Sequence, residues 1–166
     1  YVLRQNKVFF VFTTPLSSNN FATKWLSKHG DGVRDIAISV DCDKIAYDSC
    51  ISRGAKSIMS PTITEDENGR FGKSTIQTYG DTVHSFICRK DYDGLWAPGF
   101  KRLNMPKIKS RIPSLIKIDH IVGNVEVHKM DFWKEYYENI FGFSTFVKFD
   151  EDDISTEFSS LKSVVV

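Results

Sequence analysis

The chain has 166 residues, 41% of them hydrophobic and 13% aromatic, enough for one domain or two small ones around a substantial core. Its 22 basic and 21 acidic side chains leave a formal net charge of +1, which removes the electrostatic basis for binding nucleic acid or a membrane surface. No apolar run approaches the roughly 20 residues needed to span a bilayer, no secretion signal is visible, and the three cysteines (Cys42, Cys50 and Cys88) form no CxxC pair, so they read as reduced thiols of an intracellular protein.

The chain opens at Tyr1 and runs quickly into a strand-like segment, Val8-Phe9-Phe10-Val11-Phe12. The first helix is expected from Phe21 to Lys28, with Phe21 over Trp25 and Ala22 over Leu26, Asn19 or Asn20 as cap and Gly30 as stop. A strand at Val33 to Val40 leads into a second helix, Asp43 to Arg53, which ends before Gly54. Glu65 to Gly72 is polar, holds two glycines and reads as a loop. Strands follow at Lys73 to Tyr79 and Val83 to Arg89, joined by a tight turn at Gly80-Asp81. Leu115 to Val125 is expected as a strand and Met130 to Phe141 as a third helix before Gly142; Ser144 to Phe149 and Ser155 to Val165 close the set as strands.

A weak repeat runs through this order. Asp35-Ile36-Ala37-Ile38-Ser39-Val40 leads into a helix ending at Gly54, and Asp119-His120-Ile121-Val122-Gly123-Asn124-Val125 into one ending at Gly142. Both units read strand, short polar link, helix, glycine, more strands. The pattern predicts an α+β protein of βαβββ modules, with residues 1–95 in one unit, a linker at 96–113 and a second unit from 114 to 166. The repeat sets Ile36 opposite His120, an apolar residue opposite a titratable one, which marks the second unit as the one that carries chemistry. A start without Met and a close on Val164-Val165-Val166 are expected of an internal piece of a longer protein.

His120 would sit mid-strand, on the face of Ile118 and Val122, where neutral imidazole is a good ligand for iron, zinc, nickel or copper and otherwise a satisfied core residue. No two of the four histidines have HxxxH or HxH spacing. Asp150-Glu151-Asp152-Asp153 lacks the spaced oxygens and central glycine of a calcium loop. The basic stretch from Lys101 to Arg111 lacks interleaved aromatics, as nucleic-acid binding would need. No P-loop, GxSxG or GxGxxG is present. Ser163 shares a face with Leu161 and Val165 and could donate a hydrogen bond to a substrate; with no local base it is no nucleophile.

Several segments in order, Phe10-Val11-Phe12-Thr13, His29 to Ala37, Gln77 to Thr82, Ile118 to Asn124 and Thr156 to Val165, resemble the 4-hydroxyphenylpyruvate dioxygenase family of the vicinal oxygen chelate superfamily, in wording closer to its animal than to its plant or bacterial members. The resemblance implies two domains of paired βαβββ modules, the first a scaffold and the second a half-open barrel around one Fe(II) held by two His and one Glu. It implies His120 as the first His ligand and Ser163 and Val165 as substrate-pocket residues; the other two ligands match nothing in this chain. It implies conversion of 4-hydroxyphenylpyruvate and O₂ to homogentisate and CO₂ in tyrosine catabolism, by a cytoplasmic homo-oligomer, dimer or tetramer, with no nucleic-acid or membrane partner. A 4-hydroxymandelate synthase-like enzyme, which hydroxylates the benzylic carbon of the same substrate, and a non-catalytic fold module are the alternatives.

Overall fold

The computed structural model describes residues 1–104, 114–149 and 162–166. Strands β1 (Val2–Gln5) and β2 (Val8–Val11) form an antiparallel hairpin, and helix α1 (Phe21–His29) follows. Asn20 caps α1, its side-chain oxygen accepting from the Thr23 N–H at 2.9 Å, and Gly30 ends it. Strand β3 (Asp35–Ser39), helix α2 (Asp43–Ser52) and strands β4 (Ser57–Asp66), β5 (Gly69–Gln77) and β6 (Val83–Cys88) then make one complete βαβββ unit. The sheet order is β3-β6-β5-β4: β6 returns parallel to β3, and β5 pairs antiparallel with both β6 and β4. Helix α3 (Met130–Phe141) and the short antiparallel pair β7 (Val147–Phe149) and β8 (Ser163–Val165) follow.

All three helices lie where the sequence puts them, since each combines an apolar stripe with a glycine or a polar stop. Glu65 to Gly72 is corrected: it is not a loop but the turn of the β4–β5 hairpin with the ends of both strands. Asp66 Oδ1 accepts the Asn68 N–H at 2.8 Å, and Arg70 pairs with Glu65 across the hairpin at 2.8 Å. Gly69 has φ +113°, and a Cβ there would fall 2.0 Å from the Asp91 carbonyl oxygen. Strand β4 escaped the sequence reading because it is an edge strand, largely exposed, whose ladder shifts register between Met59 and Thr62, around Pro61.

The expected strand Leu115 to Val125 is also corrected. These residues form no ladder. A strand exists only against a partner, and Leu115 spends its backbone groups elsewhere: its N–H donates to Gln5 Oε1 at 2.9 Å and its carbonyl accepts from Asn6 Nδ2 at 2.6 Å. Of the expected Ser155 to Val165 strand, β8 is the described part. Residues 155–161, the acidic run 150–153 and the 105–113 part of the expected linker lie outside the described residues.

The main core fills the helix-side face of β5 and β6. Ile76 and Phe86 from the sheet meet Tyr47, Cys50 and Ala55 from α2 and the turn after it, and Ile140 from α3. Ile38 and Val40 pack against the same cluster. A smaller cluster, Phe71, Ile87 and Tyr92, lies on the other face. Ile76 is fully buried and central, whereas Ile58 on the edge strand is 51% exposed. Ile76→Ala is expected to cost about 2–5 kcal/mol and Ile58→Ala about 0.5 kcal/mol in urea unfolding; equal losses would place the core elsewhere.

Candidate functional site

His120 stands on an exposed segment anchored at both ends. At one end Leu115 is held by the β1–β2 turn. At the other, Gly123 lies against Tyr79, where a Cβ would fall 2.5 Å from the phenol carbon and oxygen of that ring. Between the anchors His120 has a side-chain exposure of 70%, and its Nδ1 lies 2.8 Å from Asp119 Oδ2. That contact holds the Asp119 carboxyl below the usual carboxylate value, chiefly through the hydrogen bond from His120. A carboxylate only accepts, so the Nδ1 nitrogen donates in this contact.

The arrangement offers one imidazole. No group of three His, Cys, Asp or Glu able to hold a metal ion occurs among the described residues. Ser163 and Val165 sit two apart on β8, opposite Phe149 and Val147 of β7, and so share a face. Ser163 is half-buried and Val165 is 37% exposed. The described residues therefore bring no complete ligand set together around His120.

On β3, Ile38 and Val40 face α2, so Ile36 faces the helices as well. The opposite face carries Asp35, whose carboxylate accepts from the Ser85 hydroxyl at 2.7 Å and the Ser85 N–H at 3.1 Å, with Lys73 3.6 Å away.

A second cluster escaped the sequence reading. His84, 4% exposed on β6, meets α3 at Tyr137. Its Nδ1 lies 2.9 Å from the Ile36 carbonyl oxygen, and its Nε2 lies 2.8 Å from the Tyr137 hydroxyl. A carbonyl only accepts, so in the neutral ring Nδ1 carries the proton and Nε2 accepts from Tyr137. Thr78 Oγ1 completes the chain 3.0 Å from the same hydroxyl. Beside it Tyr136 donates to the Gln77 carbonyl at 2.7 Å. Burial pushes both tyrosines up to about 12 and His84 below its ordinary value. Adjacent tyrosines on an otherwise apolar helix stripe were the available signal, because a buried phenol needs a partner.

No helix of the described residues is long and apolar enough to cross a membrane. No protein-family model matches the chain. The whole chain is 36% identical to 4-hydroxyphenylpyruvate dioxygenase of Coccidioides posadasii, covering 46% of that protein. Over 85% of its length it is 41% identical to the protein of the same name from Yarrowia lipolytica, covering 37% of it. The chain thus spans about half the length of the curated relatives it matches. Among solved structures, a mutant of 4-hydroxymandelate synthase from Streptomyces coelicolor superposes with a TM-score of 0.67 at 20% identity, covering 89% of this chain and 41% of that one. That likeness establishes the vicinal oxygen chelate fold.

The contact at Gly123 is open to test. Gly123→Ala is expected to cost about 1 kcal/mol, the low end of overpacking because the phenol end of Tyr79 can move, and most of that cost should vanish in a Tyr79→Ala background, measured as a double-mutant cycle in thermal unfolding. An undiminished cost there would remove Tyr79 as the neighbour that matters.

Proposed function

We propose that this chain, a homologue along its whole length of the 4-hydroxyphenylpyruvate dioxygenases, is the part of such an enzyme that joins a scaffold unit to the start of a catalytic one. The observation that carries the reading is the identity of 36–41% to proteins of that name, spread over a complete βαβββ unit and the opening of a second. The proposed reaction takes 4-hydroxyphenylpyruvate and O₂ to homogentisate and CO₂. Residues 1–95 are assigned to the scaffold unit, 96–113 to the link and 114–166 to the catalytic unit.

His120 is proposed as one ligand of an Fe(II) centre. The remaining ligands are assigned to the length of the relatives that this chain does not span. Ferrous iron, when bound, would supply the site at which the keto acid chelates and dioxygen is reduced. The chain's own residues have simpler tasks. Asp119 holds the His120 ring in the ligating tautomer. Ser163 is assigned a hydrogen bond to the substrate and Val165 an apolar contact beside it, both from the face they share on β8. The two anchors at Leu115 and Gly123 fix the backbone that carries the imidazole. A cytoplasmic homo-oligomer, dimer or tetramer, goes with the reading.

The experiment is oxygen uptake with Fe(II) and 4-hydroxyphenylpyruvate by a protein carrying this chain at the relatives' full length, with the product separated by chromatography. Homogentisate supports the dioxygenase; 4-hydroxymandelate selects the sister activity, and no uptake by the iron-loaded protein rejects both. In the same protein His120→Ala is expected to lose bound iron and turnover together, and normal iron content would remove His120 from the centre. Ser163→Ala should keep its iron and weaken substrate binding by about 1 kcal/mol, the worth of one hydrogen bond; unchanged affinity would reject that assignment.

A further inference from the structure

The docking of α3 onto the first unit is fastened by a short chain of hydrogen bonds inside an apolar interface. Thr78 Oγ1, 1% exposed as a residue, is 3.0 Å from the Tyr137 hydroxyl; that hydroxyl is 2.8 Å from His84 Nε2; and His84 Nδ1 is 2.9 Å from the Ile36 carbonyl. Phe141 meets the same imidazole edge-on with ring centroids 5.4 Å apart. We propose that this chain is a proton-sensitive latch: neutral His84 holds α3 closed on β5 and β6, and protonation of His84 releases the helix that continues from the His120 segment.

The argument is one of donors and acceptors. With the neutral ring, Thr78 donates to Tyr137, Tyr137 to Nε2, and Nδ1–H to the Ile36 carbonyl, so every polar atom of the chain is matched. A proton on Nε2 turns it into a donor. The relay must then reverse: Nε2–H points at the Tyr137 oxygen, Tyr137 donates to Thr78, and the Thr78 hydroxyl proton is left to find another acceptor in a buried site. The imidazolium itself would be buried among Tyr137, Phe141 and the sheet. Its facing groups give little relief. From β3 the charged neighbour is Asp35, which lies on the far face and is already engaged by Ser85 and by Lys73 of β5. From α3 the facing titratable groups are Tyr137 and Tyr136, both protonated with values pushed up to about 12. Beyond Thr78 lies Tyr79, raised by burial. Burial therefore holds the His84 ring below its ordinary value near 6.5. The unfolded or undocked state takes the proton more readily, so the latch's contribution is complete above about pH 6.5 and is lost as pH falls from there through the depressed folded value.

The test is hydrogen exchange on the full chain between pH 8 and pH 5, expressed as protection factors so that the intrinsic pH dependence of exchange is removed. Protection of the α3 amides is expected to fall below pH ~6.5, by at most tenfold per pH unit for one proton, while α2 amides hold theirs. His84→Gln should abolish that pH dependence, and Tyr137→Phe should lower α3 protection already at pH 8. Level α3 protection in the wild type, an unchanged fall in His84→Gln, or α2 and α3 falling together would each overturn the latch. If His84→Gln does not fold, the wild-type His84 ring decides by nuclear magnetic resonance: titration near its ordinary value with α3 still protected overturns the proposal, and titration coupled to loss of α3 protection supports it.

Discussion

One face of two strands organises this molecule. The helix side of β5 and β6 is covered by α2 from its own unit and by α3 from the next, so Ile76 and Phe86 are packed by helices that lie some ninety residues apart in sequence. The hydrophobic effect does not distinguish local from distant partners; it rewards removal of apolar area from water. The sheet alone would leave that face half open, and α3 alone would expose Ile140 and its aromatic stripe. Their mutual burial brings α3 onto the first unit's sheet.

Apolar burial alone is permissive about rotation and sliding, and polar groups within the interface narrow the choice. Cys50 of α2 and Arg53 just after it both donate to the Ile140 carbonyl at the end of α3, at 3.7 and 3.3 Å. Tyr136 and Tyr137 find their partners on β5, the turn after it and β6. A buried hydroxyl without a partner costs about 1–3 kcal/mol, so a slipped helix would leave several groups unmatched at once. The polar atoms thus set the register of a contact that the apolar atoms drive.

The two units hold their polar side chains differently. In the first, Asp35 is tied to Ser85 and Lys73, its charge and hydrogen-bonding capacity used within the sheet. In the second, His120 leaves a ring nitrogen free on a segment fixed by Leu115 and Gly123. This is why homology to dioxygenases, rather than any assembled metal site among the described residues, carries the functional reading.

The helices were legible in the chain itself because capping residues, apolar stripes and terminal glycines are local: Asn20 and Gly30 bound α1, and Gly142 closes α3 in a left-handed conformation. The turn at Gly80-Asp81 and the strands on either side were legible for the same reason, and so was the chemical promise of His120, which rests on the side chain and on family resemblance. Edge strand β4 was hidden because its pairing with β5 demands no alternation where both faces meet water. The Leu115 to Val125 run reads as a strand from its β-branched residues, yet backbone groups without a facing strand make no ladder. The partnership of His84 with Tyr137 across 53 residues was decided by tertiary structure alone, because which face a strand residue presents and which distant group it meets depend on how the sheet is assembled.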